Sequence, residues 1–335
     1  MEREIKAKFA DSMLDETARK FGTVVDRLKF VSDSESFVFE YEKDNRLYIM
    51  RITHDSHRSY GQILTELDWL AYLSSNGVSV SVPVPSADNN IIEIVPADSS
   101  CFLASVFKKA EGEEVKPDDW TDDFFYAWGH YVGRLHALAR EYRPPEGADE
   151  RPRWDEEYNV CMAESVLADQ PDVLSKQREL FASLKELPTC PDAYGLIHSD
   201  LEDENFFIEN GRITAFDFDE CQYNWFVYDL AAILRESTWR IPISPRHDRT
   251  GQIVNFWSVF SRGYLTANVL DPFWIEQMPV FLRWREICMY VYACGKCEIG
   301  PDDEKIMSAV KNRIINEIPL PDIDGKALRL CFTAD

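Results

Sequence analysis

The sequence lacks long apolar runs and is poor in basic residues. No window approaches the length of about 18 uninterrupted apolar residues that a membrane-spanning helix needs. The 36 Lys and Arg residues stand against 59 Asp and Glu, a net charge of −23 that repels a long polyanion such as nucleic acid. The N-terminal MEREIKAKFA is charged where a signal peptide would be apolar. We therefore expect a soluble, cytoplasmic protein that binds neither membranes nor nucleic acid.

The chain also lacks the cysteine and histidine patterns of a disulfide-rich or zinc-binding protein. Its eight cysteines are scattered through 335 residues without the signal of an exported protein, which favours reduced thiols. Cys294 and Cys297 form a CxxC without a second pair at zinc-finger spacing, so a structural helix end is favoured over a metal or redox role. His54 and His57 are interpreted as part of a polar turn rather than as a metal pair.

What the sequence does contain is enough apolar material for a sizeable core. Hydrophobic residues make up 45% of the chain and charged residues 28%, which are ordinary values for a folded protein and exclude wholesale disorder. At about 150 residues per domain, 335 residues predict one large unit or two closely joined ones.

The pattern over residues 1–107 predicts a sheet with one helix. Three short β-like runs lie between 23 and 53, of which 23–25 is the first, and the last two are joined by a hairpin. Apolar residues at helical spacing predict a helix over 58–75, and two more β-rich runs follow it. We therefore predict a five-stranded antiparallel sheet with one helix, and a boundary at 108–112 where this pattern breaks.

Residues 113–335 are predicted to be mainly helical. A long amphipathic helix covers 124–138, helical stretches form an insert at about 150–190, and two β segments near 206–208 and 212–217 form a hairpin. More helices are predicted at 228–238, 248–265, 272–294 and 302–317. Five tryptophans of this tail are expected in the core rather than at a substrate, although they could also line a pocket: Trp225, Trp239, Trp257, Trp274 and Trp284.

The most informative stretch is Leu196-Ile-His-Ser-Asp-Leu-Glu-Asp-Glu-Asn205, which is followed by a hairpin and an Asp-Phe-Asp that starts at Asp217. Phosphoryl transfer from ATP needs a carboxylate for the proton of the acceptor hydroxyl, and oxygen ligands for magnesium. Asp200 and Asn205 can lie at opposite ends of a tight loop, and a hairpin can return Asp217 to Asn205. By itself, the same spacing also fits an acidic, solvated turn.

These motifs, with the order of predicted elements, resemble the kinase superfamily. They are most similar to its branch of aminoglycoside phosphotransferases, choline kinases and homoserine kinases of type II. The resemblance implies an α+β, bilobal protein-kinase-like fold. It further implies a nucleotide-binding N-lobe at 1–107, a hinge at 108–112, and a catalytic and acceptor-binding C-lobe at 113–335.

The same resemblance assigns roles to individual residues. It implies that Asp200 is the catalytic base, that Asn205 and Asp217 are Mg²⁺ ligands, and that His198 braces the loop. The segment Tyr228-Asp-Leu-Ala231 is similar to a segment that anchors the catalytic loop in this branch, so Asp229 is expected to be structural.

Residues for the nucleotide are expected in the first part of the chain. Arg51 lies where protein kinases carry Lys on the third strand, and its guanidinium can bind phosphate bidentately. Glu66 falls on the inward side of the predicted helix, where it could pair with Arg51. Alternatively, both side chains are simply solvated. The first hairpin lacks glycine, so the hydroxyls of Ser34 and Ser36 and nearby backbone N–H groups would replace a Gly-rich phosphate lid.

The acceptor is expected to be a small molecule. Residues 196–220 contain eight acidic residues and one basic residue, which favours an acceptor with an ammonium group. Glu202 occupies the place of a protein-kinase Lys, and no Ala-Pro-Glu element is found. We predict an ATP- and Mg²⁺-dependent phosphotransferase acting on a hydroxyl of an aminoglycoside, choline-like or homoserine-like molecule. A protein Ser/Thr kinase and a catalytically silent ATP-binding regulator are the alternatives. The sequence does not determine the oligomeric state.

Overall fold

The computed structural model describes residues 3–146, 148–242, 248–319, 328–329 and 332. Its chain divides into two compact units. Unit 1 comprises Met1–Glu113, Tyr142–Arg151 and Thr214–Asp219, and unit 2 comprises Glu114–Glu141, Pro152–Ile213 and Glu220–Asp335. Cys331, one of the eight cysteines that are predicted to be reduced, lies outside the described residues.

Unit 1 is built on an antiparallel sheet. Its strands are β1 (Lys29–Ser32), β2 (Phe37–Lys43), β3 (Arg46–His54), β4 (Pro83–Val84), β5 (Glu93–Ala97) and β6 (Ser100–Lys108). The spatial order is β1-β2-β3-β6-β4, and β5 pairs with β6. The sheet therefore has six strands rather than five, because the two-residue strand β4 is too short to leave a sequence signal. The strand expected at 23–25 is wrong, since a 3₁₀ turn begins at Val25 and β1 begins at Lys29.

Three helices accompany this sheet: α1 (Arg3–Lys6), α2 (Asp11–Lys20) and α3 (Tyr60–Ser75). Only α3 was expected. It begins with a capping box, in which the hydroxyl of Ser59 accepts the backbone N–H of Gln62 and the Gln62 side chain accepts the N–H of Ser59, both at 3.1 Å. The core of the unit joins strand residues such as Met50, Ile52 and Phe102, which are all fully buried.

Unit 2 is mainly helical. Its helices are α4 (Asp122–Ala139), α5 (Tyr158–Cys161), α6 (Ala163–Val166), α7 (Pro171–Lys185), α8 (Phe226–Arg240), α9 (Arg249–Leu265), α10 (Pro272–Glu276), α11 (Met278–Lys296) and α12 (Pro301–Asn316). The chain also forms β7 (Tyr194–Ile197), β8 (Phe206–Glu209), β9 (Arg212–Ala215) and β10 (Gln222–Trp225). Strand β8 pairs with β9 as the predicted hairpin, and β7 pairs with β10 in a second ladder that was not expected.

Several residues singled out in the sequence have structural positions. Four of the five tryptophans are buried, whereas the Trp239 side chain is 57% exposed. The seven cysteines within the described ranges are free, and the CxxC pair lies at the end of α11, with Cys297 as its C-cap. In the part of the chain that the structure describes, no helix is both long and apolar enough to cross a membrane.

Candidate active site

The loop that carries Asp200 follows β7 and is held in unit 2 by Asp229 of α8. The buried carboxylate of Asp229 accepts the backbone N–H groups of Ser199 at 2.7 Å and His198 at 3.3 Å. It also accepts Nε2–H of His136 on α4 at 3.1 Å. These bonds hold Ser199 at a φ of 74°, a left-handed conformation that costs a non-glycine residue about 1–3 kcal/mol. The packing of the helices therefore imposes the shape of this loop.

Asp200 is bound through both of its carboxylate oxygens. Asn205 Nδ2 donates to Asp200 Oδ2 at 3.1 Å and to the Asp200 backbone carbonyl at 2.8 Å. Arg285 Nη2 donates to Asp200 Oδ1 at 2.5 Å. The Asp200 side chain remains 36% exposed, so an incoming hydroxyl group can reach it. The structure thus brings Asp200 and Asn205 together at the two ends of a tight loop.

Arg285 is a residue of this site that the sequence analysis missed. Its side chain is 8% exposed, and it also donates to Glu202 Oε1 at 3.1 Å and to the backbone carbonyl of Ser199 at 3.4 Å. The residue lies three positions after Leu282 and three before Cys288, both of which are buried on α11. A charged residue within the apolar stripe of an amphipathic helix was the signal that could have revealed it.

The pKa values of two neighbouring carboxyl groups, Asp200 and Glu202, are shifted in opposite directions. Burial raises the pKa of Asp200, but the guanidinium of Arg285 outweighs it and the pKa lies below its ordinary value. For Glu202, burial and the nearby Asp200 carboxylate raise the pKa to about 8 against the opposing effect of Arg285. At neutral pH, therefore, Asp200 carries the negative charge and can accept a proton.

The acidic run around this loop is less negative than the sequence suggested. Arg240, at the end of α8, pairs with Glu204 and lies 3.8 Å from Asp203, measured from Nε to Oδ1. Arg240 and Arg285 together lie beside four acidic residues of the loop and offset part of their negative charge: Asp200, Glu202, Asp203 and Glu204. The argument for an ammonium-bearing acceptor, which rested on the acidic count alone, is weakened accordingly.

Arg51 and Glu66 form a buried ion pair in unit 1. Arg51 Nη2 donates to Glu66 Oε2 at 2.7 Å, and the two residues are 6% and 0% exposed. Burial lowers the pKa of Arg51, but the charges of Glu66, Asp219 and Asp217 outweigh burial and raise it above its ordinary value. Glu66 Oε1 has no hydrogen-bond partner among the described residues. The alternative of two solvated side chains is therefore wrong.

Asp219 belongs to the same charged group of unit 1. Its carboxylate accepts Nε2 of His57 at 2.7 Å, and its Oδ1 lies 3.7 Å from Arg51 Nη1. Burial raises the pKa of Asp219, but Arg51, His57 and Arg58 hold it well below the ordinary value. Asp217, two residues earlier, has a left-handed φ of 61°. Asp219 is thus a buried partner of Arg51 and not a surface residue.

The remaining predicted residues have other surroundings or partners. His54 makes hydrogen bonds to Ser56 at 2.8 Å and Ser100 at 3.1 Å, so its ring does not join His57 in a metal pair. Ser36 is buried, and its hydroxyl is bonded to the hydroxyl of Thr53 at 2.8 Å. Ser34 is exposed in the bend between β1 and β2.

With this geometry in place, comparison with known proteins defines the class. The model of the phosphotransferase enzyme family (APH) matches residues 27–260, and the chain belongs to that family. It is 36% identical over 331 residues to amicoumacin kinase of Bacillus subtilis (strain 168), a match that covers 97% of this chain and 98% of the relative.

Solved structures show the same fold. The structure of amicoumacin kinase hAmiN in complex with AMP-PNP, Ca²⁺ and Ami has a TM-score of 0.92 at 33% identity and covers 98% of this chain and 100% of its own. A microcompartment-associated aminopropanol kinase has a TM-score of 0.72 at 21% identity, with coverage of 91% and 95%. The predicted α+β, protein-kinase-like fold is confirmed, and the chain is a phosphotransferase enzyme.

Proposed function

We propose that the protein transfers the γ-phosphoryl group of ATP to a hydroxyl group of amicoumacin or a close chemical relative. The observation that carries this proposal is Asp200, a charged carboxylate bound by Asn205 and Arg285 on a loop that Asp229 holds. The choice of acceptor rests on the similarity to amicoumacin kinase, which extends over nearly the whole chain.

Asp200 supplies the proton chemistry of this reaction. As the acceptor oxygen forms its bond to the γ-phosphorus, its proton moves to the Asp200 carboxylate, the bond from that phosphorus to the bridging oxygen breaks, and ADP leaves. A carboxylate is a weak base, so its main contribution is to orient the hydroxyl group. The two hydrogen bonds on Asp200 suit it to that task.

Asn205 and Asp217 are the proposed ligands of a divalent metal ion, for which Mg²⁺ is our choice. Amide and carboxylate oxygens are the donors that Mg²⁺ prefers. Because the amide nitrogen of Asn205 is bound to Asp200, its amide oxygen stays available for a cation. The ion, when bound, would offset the charge of the phosphates. Asn205 belongs to unit 2 and Asp217 to unit 1. Each residue is therefore proposed as a ligand because of its own oxygen donor and not because of a distance between the two.

The nucleotide phosphates are proposed to bind Arg51, which Glu66 holds in place. The hydroxyl of Ser36 is hydrogen-bonded to the hydroxyl of Thr53. Within the glycine-free bend, we therefore expect the phosphate contacts to come from Ser34 and from backbone N–H groups. The division into a nucleotide-binding part at 1–107, a hinge at 108–112 and an acceptor-binding part that includes about 150–190 stays a prediction.

Acceptor-dependent release of ADP tests the proposal. We would offer amicoumacin, aminoglycosides, amino alcohols and hydroxy amino acids with Mg²⁺ and ATP to the wild type, Asp200→Asn and Asp217→Ala. We expect turnover with amicoumacin, loss of turnover but not of ATP binding in Asp200→Asn, and weakened metal-nucleotide binding in Asp217→Ala. ATP binding without turnover on any acceptor would instead favour a silent regulator. Stoichiometric phosphoserine on a protein substrate would favour a protein kinase.

A further inference from the structure

Arg285 of α11 makes three hydrogen bonds to the loop that carries Asp200. Its guanidinium donates to the Asp200 carboxylate, the Glu202 carboxylate and the Ser199 carbonyl. The same guanidinium lies 6.0 Å from the ring centroid of Tyr228. A buried arginine is costly unless its donors are satisfied by well-placed acceptors. Here those acceptors include the proposed base itself, although Nε of Arg285 has no hydrogen-bond partner among the described residues.

The contact with Asp200 differs from an ordinary structural ion pair in one respect. Arg285 donates to Oδ1, while Asn205 donates to Oδ2. Two donors on different oxygens fix both the position and the plane of a carboxylate, whereas a single donor would leave it free to rotate. The orientation of the remaining lone pairs, which must meet the acceptor hydroxyl, is thereby set before substrate arrives.

We infer that Arg285 is a positioning residue for phosphoryl transfer, which acts by holding the carboxylate of Asp200 in the orientation that accepts the proton of the acceptor. The inference rests on the proposed role of Asp200. The planar guanidinium reaches Asp200, Glu202 and Ser199 at once, and the single ammonium group of a lysine cannot match that geometry. The residue therefore affects the rate of the chemical step more than the binding of either substrate.

The next residue on α11 offers a matched comparison. Glu286 is buried and accepts Arg313 Nε at 2.8 Å and Nη2 at 2.6 Å, which links α11 to α12. Like the pair of Arg285 with Asp200, this pair joins a largely buried arginine to a carboxylate, but its hydrogen bonds link the two helices and do not involve the loop of Asp200. Loss of Arg313 therefore reports the structural cost of breaking an ion pair on this helix.

The test compares Arg285→Gln and Arg285→Lys with Arg313→Gln, using the best acceptor of the panel described above. We expect Arg285→Gln to lower kcat by about 10- to 100-fold, with KM for acceptor and ATP changed by less than about 3-fold. We expect Arg285→Lys to recover part of that loss, and Arg313→Gln to lower the melting temperature while kcat stays within about 3-fold of the wild type. If Arg285→Gln does not fold, the kcat of Arg285→Lys is compared with that of Arg313→Gln instead.

The outcomes separate this inference from the proposed function. If Asp200→Asn is inactive but the Arg285 variants match Arg313→Gln in kcat, or differ from it only in KM, Arg285 is structural and the inference is overturned alone. If Asp200→Asn turns over as fast as the wild type, or no acceptor is phosphorylated, the proposed function fails and the inference fails with it.

Discussion

At the scale of single residues, buried charges define both halves of the proposed chemistry. Arg51 is paired with Glu66 in unit 1, and Arg285 is paired with Asp200 in unit 2. A buried pair contributes little by its own attraction, since desolvation offsets it. Removal of one partner nevertheless lowers the free energy of unfolding strongly when it leaves a buried charge unpaired. Each pair can therefore be tested by neutralising one member.

Glu66→Gln should destabilise the protein and weaken ATP binding. The substitution keeps the shape of the side chain and removes the nearest countercharge of Arg51, while Asp219 remains as a second one. It should lower the free energy of unfolding by about 1–3 kcal/mol. Denaturant unfolding and ATP titration measure the two effects. The control is Arg46→Gln, at an exposed position on strand β3, which also carries Arg51. It should change the free energy of unfolding by less than about 0.5 kcal/mol. Unchanged stability and affinity in Glu66→Gln would show that the pair has no such role.

The two pairs also show what single residues reveal in a sequence. Arg51 and Glu66 could be proposed together because each occupies a predicted element, and the helical spacing points Glu66 inward. Asp200 and Asn205 could be proposed because their spacing belongs to a single loop. Arg285 could not, because it lies 85 residues from Asp200 and only packing brings them together. Contacts of high sequence separation leave no local pattern.

At the scale of elements, α4 and α9 pack with their backbones in close contact. A methyl group built on Gly129 of α4 would overlap the backbone carbonyl of Phe260, and one on Gly263 of α9 would overlap that of Tyr126. A methyl group on Gly133 would lie 2.6 Å from the Tyr264 carbonyl oxygen. Because α4 also carries His136, which binds Asp229, this contact supports the loop of Asp200.

Gly129→Ala should therefore separate α4 from α9. The added methyl group meets backbone atoms that cannot move by a rotamer change, so we expect a loss of more than about 2 kcal/mol in the free energy of unfolding. Gly211→Ala is the matched control, because its methyl group would enter open space and the left-handed φ of 77° should cost only about 1 kcal/mol. Chemical denaturation of the wild type and both variants measures these losses in the free energy of unfolding. Equal losses would mean that the helices adjust without cost.

A second contact between elements should depend on pH. Glu93 of β5 accepts Ser86 Oγ at 2.5 Å and Lys20 Nζ, at the end of α2, at 3.0 Å. Burial raises the pKa of Glu93, but the bonds to Ser86, Lys20 and Asn90 outweigh it and the pKa is lowered. A lowered pKa in the folded state stabilises the protein above the unfolded pKa, and that stability is lost as the pH falls through the folded value.

The melting temperature of the wild type should thus exceed that of Glu93→Gln at neutral pH, and the difference should shrink as the pH falls below about 4. The glutamine cannot titrate, so the comparison isolates the carboxyl group from the general effects of acid. Thermal unfolding of both proteins over a pH series provides the measurement. A difference that grows towards low pH would contradict the assigned direction of the shift.

Elements differed in how well the sequence predicted them. Helices α3, α4, α9 and α12 follow the expected ranges closely because their apolar periodicity is long. Strands β4, β7 and β10 have only two to four residues and were missed, since they depend on partners elsewhere in the chain. Strand β1 was expected too early, because Thr-Val-Val has β propensity but forms no ladder.

At the scale of the whole molecule, the family match and the site lead to the same reaction. The family model covers residues 27–260, which contain Arg51, Asp200, Asn205 and Asp217, although Arg285 lies beyond that range. The similarity to amicoumacin kinase extends over 97% of the chain and includes the α11 segment that carries Arg285. The acidic count of residues 196–220 favoured an acceptor with an ammonium group, and two arginines at the loop reduce that preference.

Mass spectrometry of amicoumacin after incubation with enzyme, ATP and Mg²⁺ tests the central claim most directly. The account predicts that the wild type adds one phosphoryl group to amicoumacin and releases one ADP for each product molecule, while Asp200→Asn binds ATP but forms no product. Phosphorylation by Asp200→Asn at the rate of the wild type, or ADP release without a phosphorylated acceptor, would contradict it.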